Sequence, residues 1–166
     1  MDRHPALQLE KTEAEHHLEY ERCWQKLVTA AQEERQHSES HRSFKVGCAM
    51  LAWNGKRYEI FAGSNFKPHK NDKTVCAEKE ALRKIRENGF ERVIAIVVVS
   101  QHSHTEPTQE DSTKTLSPCA ECQQMFRDAQ EIKPTTILTT INDSNMDTAN
   151  QSGGIIQERT VADVIK

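Results

Sequence analysis

The sequence has no apolar stretch long enough to cross a bilayer. Its longest run, Val93–Val99, is seven residues, where a spanning helix needs about 20. Positive charge is not in excess either: 22 Lys and Arg stand against 25 Asp and Glu, a net charge of −3, which supplies no electrostatic footprint for a phosphate backbone. Aromatic residues number nine in 166, too few for a groove that stacks successive bases. Met1–Glu15 carries charges of both signs and no apolar segment, so no secretory signal is expected and a cytoplasmic location follows. These absences argue against membrane and nucleic-acid partners and favour a small soluble substrate.

What is present suits one α/β domain spanning 1–166, large enough to bury roughly two-thirds of its unfolded surface. The chain is polar, with a mean hydropathy of −0.77 and 36% hydrophobic residues, but the apolar residues are clustered. No internal repeat or linker interrupts them. Of the five cysteines, Cys23 and Cys48 are expected to be small buried hydrophobes in a reducing compartment, without a disulfide between them.

The other three fall in two short stretches, Val75-Cys76-Ala77-Glu78-Lys79 and Ser117-Pro118-Cys119-Ala120-Glu121-Cys122. Both read as helix starts, where unpaired N–H groups and the helix dipole favour thiolates. Cys119 and Cys122, three apart, share a helix face, and Cys76 must reach them from another segment. Three protein ligands leave a fourth position on zinc for water, the pattern of a catalytic site. We therefore expect one Zn²⁺ per chain on Cys76, Cys119 and Cys122. Glu78, two residues past Cys76, lies close enough to move a proton without being a ligand. Three thiolates on one Zn²⁺ leave net negative charge, and Lys79 is the compensating cation. A structural zinc centre in a non-catalytic binding module is the reading from another class, and it has no use for Glu78. A thiol-redox role for Cys119-x-x-Cys122 leaves Cys76 unexplained.

Along the chain, residues 1–12 read as a loose tail and 13–36 as an amphipathic helix with His17, Tyr20, Trp24, Leu27, Val28 and Ala31 on its apolar stripe. His16, His17, His37 and His41 read as solvated. Residues 44–53 alternate, Asn54-Gly55 signals a tight hairpin, and 58–62 returns as the antiparallel partner. A Lys- and Asn-rich loop from Asn65 to Thr74 precedes a helix that starts at Cys76 and stops at Gly89. Ala77 and Ala81 would let that helix pack close to the sheet. Residues 92–100 predict a strand buried on both faces, and 101–115, with His102 and His104, an exposed insertion. A helix beginning at Pro118 and a strand over 135–141 then complete a parallel crossover. That places Cys119 at the strands' carboxyl end, where such folds bind ligands. Ile155-Ile156 suggests a short edge strand, and Thr160-x-x-Asp163 a capping box.

The Cys-Ala-Glu and Pro-Cys-x-x-Cys pair resembles the cytidine deaminase family, in the branch with Cys as first ligand. Ser43-Phe44-Lys45-Val46-Gly47-Cys48-Ala49 resembles the family's first strand, Gly63-Ser64-Asn65 its substrate-binding turn and Thr160–Val164 its final helix. The resemblance implies a three-layer α/β/α fold around a mixed sheet of about five strands. It implies hydrolytic deamination of cytidine, deoxycytidine or a related cytosine nucleoside, with water as co-substrate and a uracil product and ammonia released. It further implies that Phe44 packs near the base, that Asn65 binds the sugar, and that the protein is a homo-oligomer, a dimer or tetramer. Backbone around Ala77 and Cys119 would hold the base edge. Read alone, Phe44 is equally a core residue and Asn65 a turn residue.

Three departures stand out. Asn65-Phe66-Lys67 replaces the family's Asn-x-Glu, so Lys67 either meets an anionic group on the substrate or is a solvated loop residue. Lys79 and Gln123 replace arginines. They leave open a modified nucleoside of blasticidin type, or another aminated heterocycle, as the substrate.

Overall fold

The computed structural model describes residues 11–40, 45–67, 75–100, 120–142 and 155–165. Helix α1 (Glu13–Gln36) begins at a capping box, in which the Thr12 hydroxyl accepts Glu15 N–H and the Glu15 carboxylate accepts Thr12 N–H. Its buried residues are His16, Tyr20, Leu27 and Ala31. The expectation of a solvated His16 is thus corrected. His16, not His17, continues the stripe, because positions 16, 20, 27 and 31 align on a 3.6-residue period. The His16 ring nitrogen Nδ1 lies 2.8 Å from the Tyr58 hydroxyl, and the ring meets Trp53 and Tyr58 edge-on. Burial, then the nearby Arg92, lowers its basicity.

After β1 (Glu39–Ser40), strand β2 (Val46–Trp53) turns into β3 (Tyr58–Ser64). The loop between them holds four residues, and the Asn54 side chain accepts the N–H groups of Lys56 and Arg57. Next come β4 (Phe66–Lys67), α2 (Ala77–Glu87), β5 (Arg92–Ser100), α3 (Ala120–Asp128), β6 (Ile132–Asn142), β7 (Ile155–Thr160) and α4 (Val161–Val164). Helix α2 ends as expected. Gly89 takes φ +74°, Phe90 N–H reaches back to Ile85 O and Gly89 N–H to Arg86 O, a Schellman stop that tucks Phe90 into the core.

The sheet runs β3-β2-β5-β6-β7, antiparallel except for the parallel β5–β6 pair. Two apolar layers cover it. On one face Tyr20, Leu27 and Ala31 of α1 pack on Ala49, Leu51, Val97 and Ile141. On the other, Ala77, Ala81, Leu82 and Ile85 of α2 and Phe126 of α3 pack on Cys48, Met50, Ile96 and Leu138. This is the expected α/β/α arrangement, with five strands in the main sheet and β1 and β4 paired apart from it.

Both helix layers sit unusually close. A Cβ on Gly47 would lie 1.8 Å from Ala31 O, and one on Gly63 would lie 2.8 Å from Ala81 N and 2.9 Å from Ala77 O. The small residues at 77 and 81 therefore do what the sequence suggested.

Three strand readings change. Phe66–Lys67, read as loop, is a short strand pairing in parallel with Glu39–Ser40. The edge strand at Ile155 runs on to Thr160, with Gln157, Glu158 and Arg159 continuing the ladder. The strand read from Thr135 begins at Ile132, where the register slips and the Thr136 hydroxyl bridges Lys133 N–H and Val93 O. The capping box at Thr160 and Asp163 is present. Among the described residues no helix is long and apolar enough to cross a membrane. The tail up to residue 10, His41 and the 101–115 segment lie outside the described residues.

Candidate active site

Topology decides where the helix starts fall. Strand β3 is antiparallel to β2, and β2 to β5, so β3, β5 and β6 all point the same way. Ser64, Ser100 and Asn142 end at one edge of the sheet, beside Val46 at the beginning of β2. Helix α2 follows β3 and helix α3 follows β5, so both begin at that edge. Side chains far apart in sequence are brought together at the positive ends of two helix dipoles.

Cys76 is the N-cap of α2 and half-buried. The antiparallel bridge between Phe66 and Val75, with N–H···O distances of 2.9 and 3.0 Å, fixes the chain on its N-terminal side. Glu78 is 8% exposed although charged by nature. Cys122, third residue of α3, is 1% exposed. The Cys122 thiol lies near enough to the Glu78 carboxyl to favour its charged form. Cys119 lies outside the described residues, immediately before the first residue of α3.

Burial pushes the Glu78 carboxyl above the usual carboxylate range, opposed by its own backbone N–H and by the Cys122 thiol. Beneath it the fully buried Cys48 thiol is pushed well up, first by desolvation and then by the charge of Glu78. Cys48 is consequently a neutral core thiol, as expected, whereas Cys23, also expected to be buried, is only half-buried on α1 and its thiol donates to Glu19 at 3.4 Å.

Lys79 points across to α3. Its ammonium lies 3.3 Å from Glu121 Oε1. Partial desolvation works to lower its basicity, but the Glu121 hydrogen bond and the charges of Glu121, Cys76 and Cys122 outweigh it and raise the pKa. Lys79 is therefore within electrostatic reach of both described motif cysteines, though its direct partner is a carboxylate that sequence reasoning missed. Glu121 carried one signal, an acidic residue in the first turn of a helix.

Asn65 closes the edge. It is 7% exposed, and its Oδ1 accepts Val46 N–H at 2.9 Å and the Ser38 hydroxyl. Ser38 had no sequence signal. Ala77 is buried at the first helical position, its carbonyl facing Gly63. Lys67 lies in β4 opposite Ser40, its side chain outside the described residues, as is Phe44.

The donor types suit zinc, with soft thiols at two separate helix starts and a cation within electrostatic reach of them; among the described residues, which leave out Cys119, no group of three or more Cys, His, Asp or Glu is gathered closely enough to hold a metal ion. Burial of the Glu78 carboxyl favours its protonated form relative to an exposed one.

Comparison with known proteins bears on the family and the fold. A family model described as the cytidine and deoxycytidylate deaminase zinc-binding region matches residues 21–139. A protein of Dictyostelium discoideum named as a probable cytidine deaminase is 31% identical over 101 residues. That match covers 60% of this chain and 60% of the relative, so the chain spans less than two-thirds of that relative's length. Among solved structures, the cytidine deaminase of Burkholderia pseudomallei superposes with a TM-score of 0.60 at 22% identity, over 84% of this chain and 94% of the other. The cytidine deaminase of Mycobacterium leprae gives 0.57 at 22% identity, over 86% and 96%. At that identity the likeness is one of fold.

Proposed function

Since this chain belongs to the cytidine and deoxycytidylate deaminase zinc-binding family, we propose that it catalyses the zinc-dependent hydrolytic deamination of cytidine, deoxycytidine or a closely related cytosine nucleoside. The observation that carries this reading is the buried Glu78 carboxyl, with the Cys122 thiol near it and Cys76 two residues before it at the start of α2.

Cys76, Cys119 and Cys122 would hold the metal. A zinc ion held there would lower the pKa of a bound water toward ~7. The rest falls to the protein. Glu78 accepts a proton from the attacking water, delivers it to ring N3, and then carries the second water proton to the departing amine at C4, so that ammonia leaves. Desolvation suits it to this shuttle, because it raises the affinity of the carboxylate for the proton it takes from water. Lys79 offsets the negative charge of the thiolates, backbone around Ala77 lies where the base edge would sit, and Asn65 meets the sugar.

Purified zinc-loaded protein incubated with cytidine, deoxycytidine, cytosine and blasticidin, with ammonia followed, tests the proposal. Release from cytidine or deoxycytidine is expected. Release from blasticidin alone would move the substrate to a modified nucleoside and give Lys67 a recognition role. No release from any of the four would end the reading.

A further inference from the structure

The two described motif thiols ride on different helices over different strands. Helix α2, with Cys76 as its N-cap, lies over β2 and β3, whereas α3, which carries Cys122, lies against β6. In the sheet order β5 stands between them. The sheet sets where each helix lies without joining one first turn to the other.

A side-chain pair makes that join. Lys79 is three residues past Cys76, on the same helical face, and its ammonium lies 3.3 Å from Glu121 Oε1. Glu121 immediately precedes Cys122. The next cation along α2 does not cross the gap, since Arg83 is engaged by Glu80 and Glu87 of its own helix. The Lys79–Glu121 pair as a whole is neutral, and what it adds to the cation's own effect is a tether between the helices.

On the reading that Cys76, Cys119 and Cys122 hold a zinc ion, we propose that Glu121 is a positioning residue: acting through Lys79, it ties the first turn of α3 to that of α2 and keeps the thiols of the two segments within reach of one ion before it binds. Without the tether the two turns separate more freely, and zinc selects a smaller fraction of molecules, which raises its apparent dissociation constant. Both side chains reach solvent, at 38% and 56% exposed. Exposed pairs contribute modestly, so the effect is on the order of two- to fivefold.

The test is a double-mutant cycle on zinc affinity. Zinc-loaded wild type, Lys79→Gln, Glu121→Gln and the double variant are titrated with a chromophoric chelator of known affinity, at low and high salt. Each single substitution also changes the charge near the thiols, Lys79→Gln favouring the ion and Glu121→Gln opposing it, but independent effects cancel in the cycle. At low salt the product of the two single-variant dissociation constants should exceed the product of the wild-type and double-variant constants by about two- to fivefold. The ratio should fall toward one in about 1 M salt, where the Debye length is about 3 Å. A ratio of one at low salt, or a ratio that salt does not reduce, overturns the tether and leaves the metal site intact. Coupling seen in urea unfolding with chelator in excess, but absent from zinc binding, overturns it as well, because the pair then serves the fold alone. A wild type that binds no zinc overturns both this role and the metal reading.

Discussion

Glu78 and Cys122 lie near one another on the first turns of two different helices, the thiol on one favouring the charged form of the carboxyl on the other. Neither helix alone makes this approach. It depends on β3 and β5 running parallel and ending at one edge, with α2 and α3 leaving from there. The pairing of a proton carrier with a thiol is a property of the topology, delivered by two local motifs.

Replacing Glu78 by Gln separates the roles of carboxylate and metal site. The amide keeps the shape but not the proton. Turnover should drop by about 10²–10⁴-fold, while zinc content, read by elemental analysis, stays at the wild-type value. Retained activity would remove Glu78 from the chemistry.

Among the cysteines the expected effects divide sharply. Cys76→Ser, Cys119→Ser and Cys122→Ser should each lower the zinc bound per chain and abolish turnover. Cys48→Ala should leave the zinc stoichiometry unchanged, because Cys48 is a neutral thiol buried in the core beneath Glu78. A chromophoric chelator that counts released zinc decides both.

The close approaches at Gly47 and Gly63 predict a cost for a single methyl. Gly47→Ala drives a Cβ into Ala31 O and should destabilise by about 1–3 kcal/mol or more in urea unfolding. Gly63→Ala presses on the first turn of α2 at Ala77 and Ala81. It should therefore depress kcat as well, since Cys76 and Glu78 ride on that turn. Equal kcat in the two variants would detach the site from the packing of α2.

His16 makes stability depend on pH. Its folded pKa lies below the ordinary 6.5 through burial and then Arg92, with Lys11 acting in the same direction and Glu13 and Glu15 opposing. The unfolded chain thus binds the proton more tightly. Stability from the neutral ring is complete above about pH 6.5 and falls as the pH drops toward the folded pKa. Urea midpoints measured from pH 7.5 to 5 should decline for the wild type and decline less for His16→Gln. Parallel curves would show that other groups govern the slope.

What could be read from the sequence follows from how local each signal is. The Thr160–Asp163 box, the Gly89 stop and the α2 start are set by neighbouring residues, and each stands where the pattern put it. His16 was harder to place because two adjacent histidines differ only by one helical step, and the ring's partners, Trp53 and Tyr58, arrive from a hairpin. The outer strand was under-read because Gln157, Glu158 and Arg159 look like loop, whereas their ladder comes from β6. The pairing of Glu39–Ser40 with Phe66–Lys67 is two residues long and joins distant segments. No periodicity exists in so short a piece. The Lys79–Glu121 ion pair was missed for a related reason, since it spans two helices whose proximity only the sheet order reveals.

Anomalous diffraction at the zinc edge from crystals of the zinc-loaded protein tests the metal assignment most directly. The expected map has one peak per chain, about 2.3 Å from the sulfurs of Cys76, Cys119 and Cys122, with the Glu78 carboxylate beside it and not bonded to it. Absence of a peak at that edge of the sheet, or a peak ligated by Glu78 in place of one of the three sulfurs, would contradict it.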